Sequence, residues 1–342
     1  MKVKDFIEKY DSQNQFKVLK DTYKQIISAW NSKIDLSNLK KNNYSSIIYC
    51  GLGGSAISGD LLIDYLSDEM SLPFRVIRGY NLPKYLSKDN LVIISSYSGN
   101  TEETISCFQQ AVKQNCSIIA ITSGGKIWEE ANKYKIPVIK IDSGFQPRYA
   151  LGLGFFSLLK LIQELGFVNE DKTVKEIIQL WQKRGEELST EKNHATHIAE
   201  QLIGFIPVIY SAEFLSSVGY RFKCQLNENS KLHAFHNVIP ELNHNEIIGW
   251  ESFQEKQFHA KVIYLLDRGY HPQNRKRFNI LKEMLSERKV EILTLESDGE
   301  NKKVRIIDLI FLCDWISFYT SVLRGFDPSE IDFIHQMKKK LD

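Results

Sequence analysis

The stretch Leu91 to Thr104, LVIISSYSGNTEET, carries the densest set of groups able to hold an anion. Leu91 to Ile94 is an apolar run long enough for a buried strand and too short for a helix. It gives way to Ser95-Ser96-Tyr97-Ser98-Gly99-Asn100-Thr101, and helical polarity starts at Glu102. A strand, a hydroxyl-rich turn and a helix N-terminus in that order present unpaired backbone N–H groups at the positive end of a helix dipole. Ser96, Ser98 and Thr101 add hydroxyl donors at the same point. The guest that suits this chemistry is a phosphate monoester.

A plainer role exists for the same residues. Asn100 can serve as an N-cap, with Glu103 completing a capping box, and Ser-Gly-Asn clusters are common turns. A second turn upstream shifts the balance. Ser45 to Cys50 (SSIIYC) reads as a buried strand that runs into Gly51-Leu52-Gly53-Gly54-Ser55, followed by the helically periodic AISGDLLIDYL. Glycines there let the backbone approach a ligand closely, because they carry no Cβ. Dinucleotide binding is disfavoured on three counts. Ala56 stands where the third glycine of GxGxxG belongs, no acid closes the strand Phe74-Arg75-Val76-Ile77-Arg78, and no Walker lysine follows the glycines.

Other reactive side chains are more scattered. Arg148, in Gly144-Phe145-Gln146-Pro147-Arg148, follows the last strand of the first half; it is either a surface or helix-end charge or a fixed cation for a developing oxyanion. Glu228, in Asn227-Glu228-Asn229-Ser230-Lys231, is expected beyond the helix that begins at Ala212, where a solvated charge is the ordinary reading. His244, in PELNHNEI at 240–247, has polar neighbours in an irregular segment, where a hydrogen-bonded loop histidine is the ordinary reading. His233, His236 and His244 lack a carboxylate at metal-ligand spacing, so no metal is expected.

The elements that must position these groups alternate. Phe74 to Ile77, Leu91 to Ile94, Ser117 to Thr122 and Pro137 to Ile141 read as strands, with a helix from about Glu102 to Gln114 and an apolar helix from Tyr149 to Leu165. Short apolar strands separated by helices predict a parallel sheet covered on both faces. Ligands in such sheets sit beyond the strand C-termini, near a topological switch point. Both Gly- and Ser-rich turns follow strands, so both lie on that rim. Residues 4 to about 42 read as a helical preamble, and 169–202 as a polar helical bridge. The layout then restarts: strands at Ile206 to Ser211, Phe258 to Asp267 and Val290 to Leu295, helices at Ala212 to Leu226 and Pro272 to Glu287. A long buried helix at Lys303 to Arg324 and an amphipathic one at Pro328 to Leu341 close the chain. The expected fold class is α/β, with two doubly wound parallel-sheet, flavodoxin-like domains at 1–165 and 166–342. Only the first keeps the Gly-rich turns.

Composition bounds the rest. The 342 residues are 43% hydrophobic and 25% charged, with Lys+Arg 44 against Asp+Glu 42. That is an ordinary globular balance with no broad electrostatic case for nucleic acid or membrane. Cys50, Cys107, Cys116, Cys224 and Cys313 form no CxxC pair, as expected of reduced thiols in a cytoplasmic protein. The N-terminal MKVKDFIEKYDSQNQF has charges throughout, unlike a signal peptide. Asp308 and Asp314 within Ile306 to Leu323 point to a buried helix over a membrane span.

Together these pieces resemble the bifunctional phosphoglucose/phosphomannose isomerase family, built from two sugar-isomerase (SIS) domains. The matching residues are GLGGS at 51–55, SYSGNT at 96–101, TSGG at 122–125, QPR at 146–148, NENSK at 227–231, PELNHNEI at 240–247 and LRGFDP at 323–328. SYSGNT alone marks any SIS domain; the ordered set is much more specific. The resemblance implies interconversion of glucose 6-phosphate, and of mannose 6-phosphate, with fructose 6-phosphate through a cis-enediol(ate), without cofactor or metal. It assigns phosphate binding to Gly54, Ser55, Ser96, Ser98 and Thr101. Glu228 matches the base that carries the proton between C1 and C2, and Arg148 the arginine near the enediolate. His244 matches the histidine that assists ring opening, supplied from the partner subunit of a homodimer, and Lys338 the C-terminal active-site lysine. Leu52 stands where methionine is common, and Tyr149-Ala150-Leu151 after QPR also departs from the pattern; neither touches a reacting group. The rivals are another SIS enzyme, such as an aminosugar-phosphate isomerase or a phosphosugar lyase, and a phosphosugar-binding regulator without turnover. Residues 1–42 are short for the DNA-binding module that such a regulator carries.

Overall fold

The structure, a computed structural model, describes residues 2–39, 44–255 and 259–341. Phe258, expected to open a strand, lies outside the described residues, as do 40–42 of the expected preamble. The chain divides into two units, one of Thr22–Ile178 and one of Met1–Asp21 with Gln179–Asp342. The helical periodicity of the first residues resolves into α1 (Val3–Tyr10), α2 (Gln15–Lys20) and α3 (Thr22–Asn31). Residues 32–39 are turn and irregular chain, so the preamble is shorter than its periodicity implied.

The unit Thr22–Ile178 continues with β1 (Ser46–Cys50), α4 (Gly53–Tyr65), β2 (Phe74–Ile77), β3 (Asn90–Ser96), α5 (Glu102–Lys113), β4 (Ser117–Thr122), α6 (Gly125–Lys133), β5 (Val138–Lys140) and α7 (Leu151–Glu164). Its five strands are all parallel, in the order β2-β1-β3-β4-β5. β3 is buried along its whole length, as a strand with helices on both faces must be. On one face Ile48, Val92, Ile94, Phe108 and Ile118 share a core. The chain steps outward from β1 to β2, then returns past β1 to β3. The strand order therefore reverses between β1 and β3, the kind of switch point beside which sheets of this class bind ligands.

α8 (Asp171–Leu188) leads from that unit into the next. There follow α9 (His194–Leu202), β6 (Ile206–Ala212), α10 (Ser216–Ser230), β7 (Phe235–Ile239), β8 (Ala260–Leu265), α11 (Pro272–Glu287), β9 (Glu291–Leu295), α12 (Lys302–Leu323) and α13 (Asp332–Leu341). The four strands are parallel in the order β7-β6-β8-β9. β7 is absent from the expectation because its sequence, FHNVI, interrupts the apolar run with His236 and Asn237. As an edge strand it alternates exposed and more buried positions, a pattern too short to register as periodic.

α12 is the axis of this second unit. It is apolar and long enough to cross a membrane, yet 89% of its most hydropathic window is buried within the protein. Its two carboxylates are matched rather than exposed to lipid. Arg221 donates to Asp314 through Nε (3.0 Å) and Nη2 (2.7 Å), and Arg184 Nε donates to Asp308 at 2.9 Å. Trp181 stacks on Phe311 with ring centroids 4.6 Å apart, and its indole N–H donates to the Ile307 carbonyl. The buried-helix reading of this segment holds.

Candidate active site

The GLGGS and SYSGNT turns follow β1 and β3, the two strands that flank the reversal of the first sheet. Each launches a helix with no side-chain cap: Leu52 has no group to offer α4, and Thr101 makes no capping bond to α5. Asn100, expected as the cap, lies one residue too early; its Oδ1 instead accepts from the backbone N–H of Lys126 at 3.1 Å. Two helix N-termini at this rim of the sheet are thus without side-chain caps.

The hydroxyls form a linked set around those helix ends. Ser96 Oγ donates to Thr101 Oγ1 at 3.1 Å and accepts from Gly99 N at 3.1 Å. Ser55 Oγ accepts from Tyr97 N at 3.1 Å, and Ser98 Oγ from Asn100 N at 3.3 Å. Backbone donors thus fill an acceptor position on each of Ser55, Ser96 and Ser98, and the Ser96 O–H is spent on Thr101. The SYSGNT turn has no slack. A Cβ on Gly99, whose φ is +69°, would stand 1.8 Å from the Gly124 carbonyl oxygen. The TSGG segment therefore lies flush against it, fixed further by Ile127 N donating to Gly99 O.

The QPR segment belongs to the same cluster. A Cβ on Gly54 would stand 2.8 Å from Pro147 O and 3.3 Å from Arg148 N. Pro147–Tyr149 is one turn of 3₁₀ helix, and Arg148 is 3% exposed, with Nη1 donating to Gln146 Oε1 at 3.0 Å. The surface-charge alternative for Arg148 is thereby excluded. Burial pushes the Tyr97 phenol up from its ordinary value, opposed by the bond it accepts from Phe145 N. The phenol of Tyr49, which donates to Ser55 O at 2.9 Å, is likewise raised by burial.

Within the second unit, Glu228 lies in the last turn of α10 and is half-buried, not beyond the helix end as expected. Asn229 and Ser230, residues that ordinarily break a helix, are absorbed by α12. Asn229 Nδ2 donates to Ser317 Oγ at 2.9 Å and Ser230 Oγ to Ser317 O at 2.7 Å. The helix stops only at Lys231, whose φ of 48° is left-handed. Lys231 Nζ donates to Asp327 O, and Ser321 Oγ to Asn229 O at 2.7 Å, so NENSK and LRGFDP form one local structure.

His244 is exposed at the end of a 3₁₀ turn, Glu241–His244, that follows β7. Two anchors flank it. Leu242 is buried, and the Glu246 carboxylate accepts from Tyr210 Oη at 2.6 Å and from Asn237 Nδ2. Trp250 Nε1 donates to the same Tyr210 oxygen at 2.8 Å. Burial, then the Glu246 carboxylate, raises the Tyr210 phenol and keeps it a donor. Lys338 is exposed in the last turn of α13, beside Lys339 and Lys340. Among the described residues no group of three or more His, Cys, Asp or Glu has a geometry that could hold a metal ion.

The second sheet reverses between β6 and β8, but its crevice is already filled. Tyr270 is 2% exposed and its hydroxyl bridges the two strands, accepting from Ala212 N at 3.1 Å and donating to Leu265 O at 3.0 Å. Beside the N-terminus of α11, Glu213 Oε1 accepts from His271 N at 2.8 Å and Asn274 Nδ2 at 2.7 Å. An internal carboxylate thus occupies this helix end. Sequence reasoning missed Tyr97, Tyr210 and Glu246, because their partners are remote in the chain.

Residues 191–341 match the family described as bacterial phospho-glucose isomerase C-terminal SIS domain. A bifunctional phosphoglucose/phosphomannose isomerase of Caldicellulosiruptor bescii is 39% identical over 310 residues, 89% of this chain and 91% of that protein. A D-glucosamine-6-phosphate 4-epimerase of Sulfolobus acidocaldarius is 32% identical over 73% of this chain and 76% of its own length. Among solved structures, a hypothetical protein of Thermus thermophilus superposes with a TM-score of 0.73 at 14% identity, covering 99% of this chain and 92% of that one.

Proposed function

The chain belongs to the bifunctional phosphoglucose/phosphomannose isomerase family, and on that premise we propose that it interconverts glucose 6-phosphate and mannose 6-phosphate with fructose 6-phosphate. It is an isomerase acting on phosphosugars. The observation that carries the finer reading is the junction of GLGGS, SYSGNT and QPR: two uncapped helix ends and a buried arginine share one crevice.

In this reading Gly54, Ser55, Ser96, Ser98 and Thr101 hold the phosphate, and that remote anchoring orients the sugar for reaction. Glu228 takes a proton from one carbon and returns it to the next, which a carboxylate can do without turning over a strong acid. Arg148 stabilises the enediolate, an effect worth about 3 kcal/mol for a well-placed donor. His244, lent by the partner subunit of a homodimer, assists ring opening, and Lys338 completes the site. The reaction is assigned no metal or cofactor, and its setting is the cytoplasm.

A second reading draws on the epimerase relative, which acts on an aminosugar phosphate by its name. One assay separates the two. Purified protein is given fructose 6-phosphate in EDTA, with glucose 6-phosphate and mannose 6-phosphate followed separately, and glucosamine 6-phosphate is offered in parallel. Both hexose products with EDTA are expected. Glucose 6-phosphate alone would restrict the chain to one specificity, and turnover of glucosamine 6-phosphate alone would overturn the proposal.

A further inference from the structure

Tyr97 touches all four loops of the cradle. Its backbone N–H donates to Ser55 Oγ at 3.1 Å, in the GLGGS turn. Its carbonyl accepts from Ser123 N at 3.1 Å and Ser123 Oγ at 2.6 Å, in the TSGG segment. Its phenol oxygen accepts from Phe145 N at 2.9 Å, three residues before Arg148. Ser96 and Ser98 of its own turn flank it. The first three bonds use backbone atoms and survive any substitution that keeps the chain path. Only the bond to Phe145 depends on what the side chain is.

That bond falls where the chain most needs it. β5 is three residues long, and after it the chain is irregular until the 3₁₀ turn at Pro147. Gly144, with φ +97° and open space around it, gives the segment a swivel. On the way from β5 to Arg148, Ser28 Oγ donates to Asp142 Oδ2 at 2.6 Å on one side of Gly144, and the phenol bond acts on the other. Arg148 is thus set from two sides, by the Gly54 contact at Pro147 and by the phenol at Phe145.

We propose that Tyr97 is a positioning residue for the isomerisation, which holds Arg148 in register with the phosphate cradle through the hydrogen bond between its phenol oxygen and the Phe145 N–H. The role is to place a cation for the transition state, not to bind phosphate, and it rests on the isomerase reading above. An arginine displaced by about 1 Å keeps its charge but loses its aim, and a misplacement of that size can cost about 10²-fold in rate.

The test is a double-mutant cycle with Tyr97→Phe and Arg148→Ala, read by steady-state kinetics on fructose 6-phosphate and by competitive inhibition with inorganic phosphate. Tyr97→Phe keeps the ring and every backbone bond. It should lower kcat about 10- to 100-fold while KM and the phosphate inhibition constant stay within about twofold. In the Arg148→Ala background the same substitution should change kcat less than about twofold, because its effect runs through the arginine. Equal losses in both backgrounds, an unchanged kcat, or weakened phosphate inhibition (misfolding included) would each overturn the proposal. A wild-type chain that does not turn over fructose 6-phosphate removes the isomerase reading and this role with it. An active wild type with an unaffected Tyr97→Phe removes only this role.

Discussion

Gly54 and Pro147, 93 residues apart in sequence, lie so close that a Cβ on the first would stand 2.8 Å from the carbonyl oxygen of the second. The atom in the way is backbone and cannot swing aside. Gly54→Ala should therefore move the Pro147–Arg148 turn rather than fit beneath it. We expect kcat to fall by about 10- to 100-fold, as for a small misplacement of a catalytic group. Steady-state kinetics on fructose 6-phosphate, with a melting curve to confirm folding, measures it. A fully active Gly54→Ala would mean that the register of the two turns does not matter.

Glu228 is half-buried at the end of a helix whose neighbours Asn229 and Ser230 are tied to α12. Glu228→Gln preserves shape and removes the proton acceptor. The expected result is a loss of roughly 10²–10⁴-fold in kcat with phosphosugar binding retained. Turnover and calorimetric binding on the same preparation decide it; near-normal turnover removes Glu228 from the chemistry.

Tyr210 couples the His244 loop to the second sheet, donating to Glu246 and accepting from Trp250. Tyr210→Phe leaves both partners short of a bond in a buried place, a cost of about 1–3 kcal/mol. Loosening of the loop should lower kcat/KM about tenfold in a His244 wild-type background and add little to His244→Ala. Additive losses would show that the network stabilises the unit without steering the histidine.

His236 supplies a pH dependence of stability. Its Nε2 lies 2.8 Å from Ser211 Oγ, it packs over Gly219, and Lys223 is nearby. Burial, then Lys223, lowers its pKa from 6.5 to about 4. The fold therefore prefers the neutral ring. Its contribution is complete above the unfolded value near 6.5 and is lost as pH falls towards 4, because the unfolded chain takes up the proton first. Discounted for partial exposure, the loss is on the order of 2 kcal/mol. Denaturant melts of wild type and His236→Asn between these pH values should converge as the pH drops; parallel curves would contradict it.

The parts of the molecule legible in the sequence are those set by local physics. Leu91 to Ile94 announced β3 because a strand covered on both faces must be apolar throughout. Pro272 to Glu287 was bounded correctly because proline suits the first turn of a helix. What escaped depends on distant partners. Asn100 reads as a cap until Lys126 claims it, and Glu228 reads as lying past a helix end until α12 takes up Asn229 and Ser230. Tyr97 is only the residue between two serines until Ser55, 42 positions away, and Phe145, 48 positions away, meet it. The filled crevice of the second sheet was legible only as a lack of glycines.

The division of the chain bears on how it is made. Thr22–Ile178 is continuous, whereas the other unit combines Met1–Asp21 with Gln179–Asp342. A ribosome therefore delivers the five-stranded sheet as one uninterrupted stretch of chain. Residues 2–21 precede that sheet in the chain, yet α1 and α2 pack on α12, which follows it. Docking of α1 and α2 on α12 should therefore follow the synthesis of Thr22–Ile178 rather than precede it.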